Sequence, residues 1–194
     1  RGMELSGLVV HVMGDLYRPA APDPAATLAA SGPRWRAAAV RRLAEPLIPG
    51  PWVAIGRTVA WVHAGGPAPG VLEASVGRYH RRPLVPGPLP LRLEQSGLAP
   101  APRGGDEAGG ATGDVVEVHG LWCTSVDRTI EDLLRAGPAG PERAVARSLV
   151  PLSAPGRLRD RFQSRRRRPG MAAARSALHD LLEAQDRGDD RQRP

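Results

Sequence analysis

Apolar residues recur along this chain in short runs, some with a period of two and some with a period near 3.6. Residues 8–13 and 16–18 flank the turn pair Gly14-Asp15 and predict a β-hairpin. The alanine-rich stretch 24–45 predicts helix, broken at Ser31-Gly32-Pro33. Its second half, 34–45, sets Trp35, Ala38, Ala39 and Leu43 toward one side. Residues 46–51 read as loop and 52–55 as a short strand. A helix then opens at Gly56 and runs to Ala64, with Val59, Val62 and His63 inward, until Gly65-Gly66-Pro67 stops it. Residues 71–76 and 89–93 alternate as strands do, on either side of a basic turn at 78–82. No period runs through 99–113, which predicts a mobile loop. Residues 115–118 and 121–123 predict a second pair of strands around Gly120.

The last third is helical in pattern. Thr124 or Ser125 caps a helix with the stripe Val126, Ile130, Leu133 and Leu134, and Asp127 stands at the capping-box offset from Thr124. Helices follow over 141–149, over 154–167 with Ser153 as cap and Leu158 and Phe162 one turn apart, and over 171–185 with Ala174, Leu178, Leu181 and Leu182 on one face. Strands first and helices last predict an α+β fold with a small mixed or antiparallel sheet and a helical C-terminal third.

Composition changes this picture in two ways. Gly (23) and Pro (21) keep elements short in a chain of 194 residues. All 27 basic residues are arginine; there is no lysine, a bias that fits a GC-rich bacterial codon supply. Without lysine there is no Walker A loop and no Schiff-base chemistry. The single cysteine, Cys123, excludes an intrachain disulfide and a cysteine-based zinc site, and it is expected to be buried. No apolar run approaches the ~20 residues that span a bilayer, and no secretory leader opens the chain. A cytoplasmic protein without a membrane partner is the expectation.

The formal charge of +7 is unevenly placed. Between residues 157 and 175 stand Arg157, Arg159, Arg161, Arg165, Arg166, Arg167, Arg168 and Arg175, against the single acid Asp160. That excess equals the net charge of the whole chain, and it predicts a basic surface for a polyanion, since guanidinium forks onto phosphate. Arg81 and Arg82 are a second, smaller basic pair. Catalytic chemistry is not legible. Asp114/Glu117 lie at a strand border, and Glu131/Asp132 are adjacent on a helix, where their side chains diverge by about 100°. His179 and Glu183 supply only two ligands from one helix; His63 and His119 read as packed or hydrogen-bonded histidines. Trp35, Trp52, Trp61 and Trp122 could stack on bases, but their apolar surroundings favour core duty. No catalytic residue, metal site or cofactor is expected.

Three stretches, taken together, resemble the AbiEi-type antitoxin family of type IV toxin–antitoxin systems in its actinobacterial form. The first is 55–64, IGRTVAWVHA, with Arg57, Trp61 and His63. The second is 120–135, GLWCTSVDRTIEDLLR, with Thr124, Ser125, Arg128 and Asp132. The third is Arg168-Pro169-Gly170 followed by Arg175 and Leu178. The opening hairpin resembles the wing that follows the family's helix-turn-helix; with only Arg1–Gly7 before it, most of that winged helix is expected to be missing here. The resemblance implies a wing remnant over 1–20, an effector domain over 21–185 and a disordered tail over 186–194. It implies a non-enzymatic antitoxin and transcriptional regulator that contacts DNA or RNA, with a nucleotidyltransferase-like toxin as functional partner without stable direct binding. The alternative is a protein–protein interaction module that docks through its basic helical end.

Overall fold

The computed structural model describes residues 9–19, 32–78, 87–100 and 113–190. The expectations for 24–31, for the basic turn with Arg81 and Arg82, for most of the 99–113 loop and for 191–194 fall outside the described residues. The fold is α+β, with seven strands and six α-helices among the described residues. The chain divides into two compact units, Arg1–Thr124 and Ser125–Pro194.

The first unit opens with the hairpin β1 (Val9–Met13) and β2 (Leu16–Pro19), paired antiparallel so that Met13 faces Leu16. Gly14 adopts φ +59 at the corner, a conformation that costs side-chain-bearing residues energy. Helix α1 (Pro33–Ala44) follows, with proline in its first turn, where the missing N–H costs nothing. β3 (Trp52–Ala54), α2 (Gly56–Ala64), β4 (Leu72–Val76), β5 (Leu91–Gln95), β6 (Val115–Val118) and β7 (Leu121–Thr124) complete the unit. The sheet order is β5-β4-β3-β7-β6. β4 pairs parallel with β5 and β3 parallel with β7, whereas β3/β4 and β6/β7 are antiparallel. The β6–β7 turn is His119-Gly120, both at positive φ (49° and 81°), which suits the twist of a two-residue hairpin. β5 begins at Leu91 and not at 89: Pro88 and Pro90 carry no N–H, although the Pro90 carbonyl still accepts from Leu72 N at 2.9 Å.

One core joins the hairpin, the two helices and one sheet face. It contains Met13, Val40, Leu43, Ile48, Val59, Trp61, Val62, Leu72, Val76, Leu121 and Cys123. α1 is rotated from the expected face: Ala37, Ala39, Val40, Leu43 and Ala44 are buried, while Ala38 is exposed and Trp35 is 46% exposed. The buried face carries Val40 and Leu43, and beside it Arg36 Nε donates to the Val62 carbonyl at 3.0 Å and Nη2 to that of His63 at 3.4 Å. These are carbonyls of the last turn of α2, where cations are favoured. Of the four tryptophans only Trp61 is buried, with its Nε1–H donating to Gly66 O at 3.2 Å; Trp52 and Trp122 are half-buried. The core duty expected of all four is thus corrected for Trp35.

The second unit is helical: α3 (Val126–Ala136), α4 (Pro141–Leu149), a 3-10 turn (Val150–Leu152), α5 (Pro155–Ser164) and α6 (Met171–Asp190). Its interior is Ile130, Leu133, Leu134, Leu149, Leu158, Phe162, Met171, Leu178, Leu181 and Leu182. Ser125 is the N-cap of α3, its hydroxyl accepting from Arg128 N at 3.4 Å. One expected cap is not made, and one helix end lies further on. Ser153 does not cap α5; its hydroxyl donates to the Asp127 carboxylate. α6 runs through Asp186 to Asp190, past the expected end at 185. No helix among the described residues is long and apolar enough to cross a membrane.

Candidate nucleic-acid interface

The arginine-rich segment lies wholly in the second unit, on α5, the α5–α6 turn and the start of α6. Leu158 and Phe162, 0% and 1% exposed, pin one side of α5 inward. Arg157, Arg161 and Arg165 follow one another at intervals of four and so form a row along that helix. Asp127 and Glu131 repeat the same interval on α3, and the two rows meet. Arg157 Nε lies 3.3 Å from Asp127 Oδ2, and Arg161 Nε lies 2.6 Å from Glu131 Oε2. Arg165 Nη1 reaches the same Glu131 oxygen at 3.2 Å, and Arg168 Nη1 stands 3.7 Å from Oε1. The Glu131 side chain is fully buried.

The seven-charge excess is therefore not uncompensated. Asp127 and Glu131, remote in sequence, stand against Arg157, Arg161, Arg165 and Arg168. Nor do the guanidinium groups share one surface. Arg159 is two residues from Arg157, about 200° around the helix, and points away from the paired row. Arg175 sits on α6 with Nη1 donating to Gln163 Oε1 at 3.4 Å.

A positive concavity remains. Residues Asp160, Gln163, Ser164, Arg165, Arg166, Arg167 and Arg168 line an open surface hollow of about 810 Å³ at the end of α5. Arg166 and Arg167 are exposed, and among the described residues no carboxylate is paired with either. Backbone bonds shape the turn that carries them: Arg166 N donates to Gln163 O, Arg168 N to Arg165 O and Met171 N to Arg168 O. Arginines at a helix C-terminus also complement its exposed carbonyls, which favours this placement.

The motif residues are distributed through both units and carry scaffold contacts. Arg57 N donates to Glu73 Oε2 at 2.6 Å, so a strand carboxylate caps α2. His63 Nε2 is 3.2 Å from the Thr124 carbonyl. Burial, aided by the Arg36 charge, holds the His63 pKa below its usual value against the opposing pull of that hydrogen bond. Arg128 Nε donates to Asp132 Oδ2 at 2.7 Å. Arg135 Nε donates to the Pro169 carbonyl at 3.1 Å, and Gly170 at φ +79 lies against the Arg135 backbone. The Arg-Pro-Gly turn thus docks the start of α6 on α3. Burial pushes the Cys123 thiol up to about 12, which makes it an inert apolar filler.

Among the described residues no three His, Cys, Asp or Glu side chains gather where a metal ion could be held. Sequence reasoning singled out the arginines but missed their partners. In the sequence Glu131 is a carboxylate beside Asp132, and Asp127 stands at a capping offset. The signal that could have found them is the matched four-residue spacing of Asp127/Glu131 and Arg157/Arg161. No family model, no curated protein and no solved structure matches the chain.

Proposed function

We propose that this chain is the effector part of an antitoxin-like regulator in a type IV toxin–antitoxin system, and that it works without catalysis by contacting nucleic acid. The observation that carries the nucleic-acid half is the concavity formed by Arg165, Arg166, Arg167 and Arg168, with Arg166 and Arg167 exposed and paired with no carboxylate among the described residues. Guanidinium groups exposed side by side are suited to phosphate contacts, which are sequence-independent. The antitoxin half rests on the stretches at 55–64, 120–135 and 168–178.

Two measurements test these halves apart. Binding of duplex DNA and of tRNA is followed from about 50 mM salt upward, where a few phosphate contacts still give measurable affinity. Absence of binding there removes the nucleic-acid half. Growth rescue in cells expressing a neighbouring nucleotidyltransferase-like toxin tests the antitoxin half, and failure to rescue removes it. One observation favours a second reading. The row Arg157, Arg161 and Arg165 already pairs with carboxylates of this chain, so the basic end could instead dock on an acidic protein. Capture of the toxin gene product by the full chain, with no nucleic-acid binding, would favour that reading.

A further inference from the structure

The first unit carries an aromatic face of its own. Val10, Tyr17 and Trp35 are three of the five large apolar residues left exposed among the described residues, so the exposed apolar surface is gathered rather than scattered. Val10 and Trp35 line one open surface hollow of about 550 Å³, with His11 of β1, Arg36 of α1, and Trp61 and Gly66 at the end of α2. The Tyr17 ring lies against that of His11, their centroids 5.2 Å apart. The two tryptophans of the hollow differ. Trp61 is buried and donates its indole N–H to Gly66 O, whereas the Trp35 N–H has no partner among the described residues. The hollow is open beside Gly66, where an added Cβ would meet no atom within 4 Å.

The surroundings of the Trp35 indole are positive. Helix α1 holds four arginines and no acid. Arg36 is held by carbonyls of α2, and Arg41 pairs with Glu45 at 2.8 Å. Arg34 and Arg42 are exposed, and no carboxylate among the described residues pairs with either. Arg34 adjoins Trp35. Arg42 stands seven residues on, within about 20° of Trp35 around the helix and about 10.5 Å along its axis. An exposed ring between two such guanidinium groups complements a ligand that is planar and apolar at one point and anionic on either side. We infer that Trp35 is a stacking platform for an unpaired base of single-stranded nucleic acid, with Arg34 and Arg42 on its phosphates. Every base has a face to stack, so the contact tolerates sequence. An apolar protein segment would leave both guanidinium groups unmatched, and a duplex keeps its bases stacked inside. This contact shares its ligand class with the proposed function and none of its residues, so the two fail separately.

The test uses the full chain at about 50 mM salt, with oligothymidylate of about ten nucleotides, an abasic strand of the same length and a DNA duplex. Oligothymidylate should quench tryptophan fluorescence, and the abasic strand should not. Trp35→Leu should remove most of that quenching and weaken oligothymidylate binding about tenfold, the worth of one stacked base, while the abasic strand binds as before. Arg34→Gln with Arg42→Gln should keep the quenching at saturation and flatten the slope of log K against log salt by about 1.4, at roughly 0.7 per single-strand phosphate. Absence of quenching, or a folded Trp35→Leu of unaltered affinity, overturns the inference. If Trp35→Leu does not fold, the salt slope decides alone, and an unaltered slope overturns it. Self-association that Trp35→Leu abolishes, seen by sedimentation and without quenching by oligothymidylate, would give the face to a second copy of this chain. Quenching that survives Arg166→Gln with Arg167→Gln supports this contact even where duplex binding is lost. Duplex binding without quenching keeps the proposed function and removes this contact.

Discussion

Replacing Arg166 and Arg167 together by glutamine separates phosphate contact from scaffold. Both side chains are exposed, and neither is paired with a carboxylate among the described residues, so stability should change by less than about 0.5 kcal/mol. Binding should change strongly. If Arg165 to Arg168 each meet one phosphate of a duplex, the slope of log K against log salt is about −3.6, at roughly 0.9 per contact. Raising salt from about 50 to about 200 mM then weakens the unaltered chain about 150-fold. With two contacts left the slope is about −1.8 and the same change costs only about 12-fold. Anisotropy titrations at four or five salt concentrations resolve the two slopes, and circular dichroism checks the fold. A folded double variant with an unaltered slope would refute the assignment of these side chains to phosphates.

Three further changes test the scaffold that holds the site. Phe162→Ala empties the place of a side chain that is 1% exposed beneath the arginine row, and should cost about 3–5 kcal/mol in urea unfolding; a loss below about 1 kcal/mol would deny Phe162 its anchoring role. At Gly56, φ is +59 and an added Cβ would strike the Glu73 carboxylate that caps α2, so Gly56→Ala should cost about 2 kcal/mol, read as a lowered denaturation midpoint. His63 has a depressed pKa, so the unfolded chain binds its proton first: stability is retained above pH 6.5 and declines as pH falls from there to the folded value, by at most about 1.4 kcal/mol per pH unit. His63→Gln should flatten that decline; an equally steep curve would assign it to another group.

The local pattern along the chain determined most of the element inventory. Turn residues at Gly14-Asp15, Gly65 and Gly120 act within a few residues of themselves, so hairpins and helix ends were legible. Ile130, Leu133 and Leu134 of the α3 stripe, with Val126 only half-buried, and the Leu158/Phe162 pair of α5 likewise marked the buried faces. The rotation of α1 was not legible, because a guanidinium at Arg36 bonding the end of α2 joins residues 26 positions apart. The alanines of α1 offer little difference in hydrophobicity between faces, and the buried one is that of Val40 and Leu43.

Charge divides in the same way. Counting along the chain located the basic segment, since net charge is a sum over residues and needs no geometry. Whether those charges stand free depends on distances in space, because Coulomb interactions fall with separation and strengthen on burial. Asp127 and Glu131, about 30 residues upstream, therefore decided which arginines the protein keeps for its own scaffold and which it leaves to solvent at Arg166 and Arg167.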